Sequence, residues 1–142
     1  MKEKDFQVMF SKEIKERWLP SEVSAVWELK ICKLKSMPFD QVKPHQRKAL
    51  ENAKRGGVYH KINDMPIFRG SRMRFTNPKP FDCFSIAKAE AYVVIWFYKP
   101  RQKKEMIWID IDNFLKEEEK SDRKSLTEER AKEIGKTLNF YA

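Results

Sequence analysis

Glu28 and Lys30, two residues apart in the apolar run Trp27–Ile31, are the side chains best suited to chemistry on a phosphate. Asp82 opens another apolar run directly after Pro80-Phe81, and Pro44-His45-Gln46 opens a helix-like stretch. Two carboxylates on neighbouring strands hold Mg²⁺ well, because it takes hard oxygen ligands and keeps several waters for a phosphate substrate. Mn²⁺ fits the same donors. A lysine beside them orients the attacking water and offsets charge on the phosphate. Phosphodiester hydrolysis requires this combination. Other hydrolytic chemistries find no residues: there is no G-x-S-x-G turn and no G-x-x-x-x-G-K-[ST] phosphate loop, and His45 and His60 are the two histidines.

Charge is distributed unevenly. The 142 residues carry 30 Lys+Arg against 21 Asp+Glu, a net charge of +9. Residues 43–104 hold 15 basic and 4 acidic side chains, whereas 1–42 hold 8 and 7, and 105–142 hold 7 and 10. So basic a middle segment attracts a polyanion and gains from counterion release, and nucleic acid is the expected partner. Lys43, Arg47 and Lys48 near the helix start, Lys61, and Arg69, Arg72, Arg74 and Lys79 beside Phe68 and Phe75 are the expected phosphate contacts. A basic surface that serves only solubility is the alternative. No run of about 18 apolar residues exists to span a membrane. The charged opening stretch argues against export, so a cytoplasmic location is expected. Cys32 and Cys83 are too few for a disulfide framework and are expected to be reduced and structural.

These residues need elements to hold them. Phe6, Met9 or Phe10, and Ile14 recur at helical spacing over 4–18, and Pro20 ends that helix. Residues 24–31 read as a strand with Trp27, Leu29 and Ile31 on one face and Glu28 and Lys30 on the other. After a loop over 33–40, a helix is predicted from Pro44 to Lys54, with Pro at its first turn and Gly56-Gly57 as its stop. A short strand at 57–62 leads into a long loop over 63–80 that is rich in proline and basic residues. Strands follow at 81–86, 91–98 and 106–111, dense enough in apolar residues for a central sheet buried on both faces. The stripe Tyr92, Val94, Trp96 and Tyr98, with Trp108, reads as core and dimer surface rather than a base-stacking platform. Residues 116–124 read as a solvated linker, and Ser125 with Glu128 as the capping box of a short final helix packing by Ile134 and Leu138. The expected organisation is an α/β domain over 1–115, a mixed central sheet flanked by helices, followed by a charged linker and C-terminal helix over 116–142.

The stretch WELKICKLKSMPFDQVKPHQRKAL (27–50), with GGVYHKI and KPFDCF (79–84), resembles the PD-(D/E)xK nuclease superfamily, in particular its phage and bacterial Holliday-junction-resolvase-like branch. The resemblance covers roughly residues 25–115. It implies a restriction-endonuclease-like core, Mg²⁺ dependence, and a homodimer that cleaves branched DNA in recombination or repair. Glu28 and Lys30 match the E-x-K of that family and Asp82 its metal-binding Asp, and Gln46 in the His-Gln helix start is expected to order the metal-site water or a phosphate. Asp64, Glu13 and His45 are additional candidates. The order departs from the usual one, in which the Asp precedes E-x-K: Asp82 follows Glu28 by 54 residues, and Glu22 lies only six residues before it. Phe97-Tyr98-Lys99 stands where a conventional order would place E-x-K after Asp82, which implies a permuted core or a migrated site.

The same residues admit a structural reading. Glu28 and Lys30 would then be a solvated ion pair on an edge strand, Asp82 a turn cap, and His45 and Gln46 hydrogen bonders at a helix start. The matching functional alternatives are a non-catalytic nucleic-acid-binding or nuclease-inhibiting protein of the same fold, or a restriction or DNA-end-processing nuclease.

Overall fold

Ala91 and Val93–Phe97 are buried in succession, so both faces of this strand are covered and it must lie inside a sheet. The computed structural model describes residues 2–17, 24–56, 58–62, 82–86 and 88–139, with backbone alone for 15–17, 58–62 and 82–86. In chain order the elements are α1 (Glu3–Arg17), β1 (Ala25–Cys32), β2 (Ser36–Pro38), α2 (Pro44–Arg55), β3 (Val58–Ile62), β4 (Asp82–Ile86), β5 (Glu90–Phe97), β6 (Glu105–Asp110), α3 (Ile111–Lys120), β7 (Ser125–Thr127), α4 (Glu128–Ile134) and β8 (Lys136–Asn139). A short 3₁₀ turn, Phe39–Gln41, joins β2 to the loop before α2. The central sheet has the order β1-β5-β6-β8, with β1 parallel to β5 and the remaining pairs antiparallel. This is the α/β arrangement with a mixed sheet flanked by helices that the sequence predicts. No helix among the described residues is long and apolar enough to cross a membrane.

Alternation along the strands divides the core into two layers. Trp27, Leu29, Ile31, Val94, Trp96 and Trp108 face α1, whose Phe6 and Phe10 are 0% and 5% exposed. Phe6 meets Trp96 at 5.5 Å between ring centroids, and Phe10 meets Trp27 at 5.5 Å and Trp108 at 5.6 Å. Tilted and edge-on pairs of this kind add about 0.5–1.5 kcal/mol each beyond area burial. Val94, Trp96 and Trp108 of the aromatic stripe are thus core beneath α1, with Tyr92 and Tyr98 partly buried against the same cluster. On the other face, Val93, Ile95, Phe97, Ile107 and Ile109 pack with Leu50 of α2, Phe114 of α3 and Ala131 of α4. Cys32 lies free and buried in this layer, where burial pushes its thiol pKa up, as expected of a structural cysteine.

Several local expectations give way to tertiary pairing. The stretch 33–40, read as a loop, contains β2, which pairs antiparallel with β7 through Met37 and Leu126. β4, read as part of the central sheet, instead pairs with β3 in a separate two-stranded ribbon, Ile62 opposite Asp82 and Val58 opposite Ile86.

The charged linker is helix over its first five residues. Asp110 accepts from the Asp112 N–H at 2.9 Å to start α3, Ile111 and Phe114 are buried, and the Glu/Lys run is the outer face of that helix. Within that run, Glu117 takes Arg130 at 2.8 Å, and Glu118 takes Arg47.

The final segment is likewise integral to the fold. Ser125 belongs to β7, and Thr127 caps α4 by accepting from the Arg130 N–H at 3.2 Å. Leu138 sits on β8, opposite Met106 of the central sheet, and not on a helix. Gly135 makes that return possible: a Cβ there would stand 2.7 Å from Trp108 O and 2.8 Å from Ile109 Cγ1.

Candidate functional site

The alternation of β1 turns Glu28 and Lys30 away from α1 and toward α2, on the face that carries Val26 and Cys32. There Lys30 Nζ lies 2.9 Å from Glu28 Oε1, with the two side chains only 14% and 22% exposed. Gln46 closes the group from the first turn of α2. Its Nε2 donates to Glu28 Oε1 at 2.7 Å, while its Oε1 accepts the Lys43 N–H at 2.8 Å. Pro44 sets the start of this helix, because its ring favours the backbone angle of a first helical residue and its missing N–H is not needed there.

The two bonds of Gln46 determine which end of its amide faces the carboxylate. An inverted amide would set oxygen against oxygen at Glu28 and lose the cap at Lys43 together. Lys30 and Gln46 both act on Oε1 of Glu28. Among the described residues, Oε2 makes no hydrogen bond or ion pair. The result is a half-buried carboxylate with one oxygen held by two donors and the other available. Mg²⁺ and Mn²⁺ sites use one or two carboxylates with waters and substrate oxygens in the remaining positions, so this donor fits in kind. No group of three or more His, Cys, Asp or Glu able to hold a metal occurs among the described residues.

The other sequence-predicted residues distribute as follows. His45, Lys43 and Lys48 are exposed around the start of α2. Arg47, expected on the phosphate clamp, is instead directed inward. It donates to Val42 O at 2.7 Å and Phe39 O at 2.6 Å, pairs with Glu118, and lies over the Phe114 ring at 5.8 Å. Its planar fork is consumed in joining α2 to α3 and to the turn before α2. Glu13 is 5% exposed on α1, the helix that covers the opposite face of β1 from Glu28. Asp82 and Lys61 are placed by backbone pairing alone, in β4 and β3. Asp64, Arg69, Arg72, Arg74 and Lys79 lie outside the described residues.

A second charged group, which the sequence reading does not single out, joins α2 to α3. Lys54 Nζ lies 2.7 Å from Asp110 Oδ1 and from Asp112 Oδ2, and Arg55 also pairs with Asp112. The hydrogen bond from Lys54 holds the Asp112 carboxyl below the usual carboxylate range. Burial acts to lower the Lys54 pKa, but its two aspartate partners outweigh that and raise it. These are opposite charges already satisfied by each other, and they act as a clasp between elements.

Compared with known proteins, the chain matches no family model, no curated protein and no solved structure.

Proposed function

We propose that this chain is a metal-dependent endodeoxyribonuclease that hydrolyses phosphodiester bonds in branched DNA, with a site of the PD-(D/E)xK kind. The supporting observation is the convergence of Lys30 and Gln46 on a single oxygen of Glu28, from a strand and a helix start 16 residues beyond Lys30 in the chain. A solvated surface pair would not need a partly buried amide held from behind by a helix cap.

In this reading Glu28 Oε2 and Asp82 hold Mg²⁺ or Mn²⁺. A divalent cation held there would supply Lewis acidity toward the phosphate and would acidify the attacking water. Lys30 orients that water and offsets charge growing on the non-bridging oxygens. Gln46 keeps Glu28 in one rotamer. Lys43 and Lys48, with Lys61 and the basic residues of 69–79, contact backbone phosphates, which position a duplex without reading its sequence. A homodimer would carry two such sites and cut opposing strands in pairs.

A second reading has its own observation. Glu28, Lys30 and Gln46 are held together by a salt bridge and two hydrogen bonds, as a structural network is in a non-catalytic nucleic-acid-binding protein. Strand cleavage separates the two. Wild type and Glu28→Gln are compared on a four-way junction and a matched duplex, with Mg²⁺ or EDTA. The nuclease reading expects metal-dependent, symmetric cuts in the junction that vanish in Glu28→Gln while DNA binding persists. Binding without cleavage by wild type would select the non-catalytic reading.

A further inference from the structure

Parallel pairing of β1 and β5 brings their C-terminal ends together. Cys32 is opposite Phe97, and the Tyr98 N–H donates to Cys32 O at 2.7 Å. The turn leaving β1 (33–35) therefore lies beside the turn between β5 and β6 (98–104). The start of α4 fastens both: the Glu128 N–H donates to Lys35 O at 3.3 Å, and its carboxylate takes Lys99 at 2.5 Å.

Five cations stand exposed on this pair of turns: Lys33, Lys35, Arg101, Lys103 and Lys104. The adjacent Lys99 and Lys132 are neutralised by Glu128 and Glu105. The five are not, for none has an ion-pair partner among the described residues. Unlike the basic residues around α2, they were brought together only by the sheet.

We propose that the turns 33–35 and 98–104 form a second grip on the DNA backbone, separate from the contacts around the start of α2. The inference rests on the nuclease reading for the identity of the polyanion and for the place of the scissile phosphate at Glu28. Lys33 is five residues beyond Glu28, which along a strand is about 17 Å. At about 3.4 Å per nucleotide step this is roughly five steps from the scissile phosphate, within the same duplex arm. Two turns fastened to one helix present their charges in a fixed array, which suits the regular row of phosphates on a duplex.

An anionic lipid surface is a poorer match. Leu34, 68% exposed, is the large apolar side chain exposed at these turns, and one leucine offers far less apolar area than the acyl chain that by itself gives only marginal membrane attachment.

The test uses the fourfold variant Lys33→Gln, Lys35→Gln, Lys103→Gln and Lys104→Gln, all at exposed positions, with a thermal melt to show that the fold is kept. Affinity for a fluorescent duplex of about 20 base pairs is measured in EDTA across a salt series, so that no cleavage is needed. Loss of four phosphate contacts makes the slope of log affinity against log salt shallower by about 3.6 and weakens binding at least about tenfold near 0.1 M salt. Wild-type affinity and slope in the folded variant would overturn the grip, even if the enzyme cuts DNA. Weakened binding alongside wild-type protein that cuts nothing would uphold the grip and remove the nuclease reading. Wild-type binding to vesicles containing phosphatidylserine, or to neither probe, in place of DNA would also overturn it.

Discussion

Gln46 Nε2 lies 2.7 Å from Glu28 Oε1, and the same side chain caps the helix that carries it. The start of α2 and the orientation of the candidate catalytic carboxylate are therefore a single structural unit. A change in how α2 begins is felt at Glu28, 18 residues earlier in the chain.

Two substitutions separate these duties. Gln46→Glu keeps an acceptor for the Lys43 N–H but loses the donor to Glu28. Gln46→Ala loses both. Stability is expected to fall by about 1 kcal/mol in Gln46→Ala and by at least as much in Gln46→Glu, which keeps the helix cap but sets a second carboxylate against Glu28. Cleavage should drop at least about tenfold in both, in kcat more than in KM, because a displaced Glu28 affects the reacting geometry. Equal activity in wild type and Gln46→Glu would remove Gln46 from the site. Melting curves beside single-turnover rates give the answer.

Arg47 makes the opposite prediction. Its donors serve Val42 O, Phe39 O and Glu118, so Arg47→Gln leaves acceptors unpaired and is expected to cost about 2 kcal/mol or more. DNA affinity below the melting temperature should change by less than about twofold, since the guanidinium is not offered to a phosphate. A steep fall in affinity with unchanged stability would restore Arg47 to the phosphate clamp.

Gly135→Ala tests how the C-terminal segment is held. The added methyl would stand 2.7 Å from a backbone oxygen that has little room to retreat, because it belongs to Trp108 in β6. An expected loss of about 2 kcal/mol or more would lower the melting temperature by several degrees. Hydrogen exchange should localise the loss to β8 and the neighbouring edge of β6. Unchanged stability would show that α4 and β8 can move away from β6 at no cost.

Stability should also fall at both ends of the pH scale. The hydrogen bond from Lys54 lowers the Asp112 pKa, and that from Arg130 lowers the Glu117 pKa. Burial alone would raise Glu128, but Lys99 and Lys132 outweigh it and lower that group as well. A depressed carboxylate contributes fully above its unfolded pKa, near 4, and loses that contribution as pH falls through its folded value. Lys54 and Lys132 are raised, Lys132 chiefly by its hydrogen bond to Glu105. Their contribution is complete below the unfolded lysine pKa, near 10.4, and is lost as pH rises through the folded value. Urea midpoints from about pH 2 to 11 should show both declines, and Asp112→Asn should flatten part of the acid limb. The clasps are partly exposed, so added salt should shrink the effect.

Local order was legible in the sequence wherever it depends on near neighbours. The alternation of Trp27, Leu29 and Ile31 against Glu28 and Lys30 follows from the two-residue period of a strand, and the start of α2 from Pro44 with Gln46 two residues on. The pairing of Glu28 with Lys30 is inherent in that spacing. Residues 111–120 were harder, because the acidic run resembles a linker until Ile111 and Phe114 are seen against the core. Only the tertiary structure decided that Gln46 would meet Glu28, that Arg47 would turn inward, that α1 would cover the aromatic stripe, and that β4 would leave the central sheet for β3. Each of those outcomes depends on contacts between residues far apart in the chain, where competing partners have similar local preferences and packing of the whole selects among them.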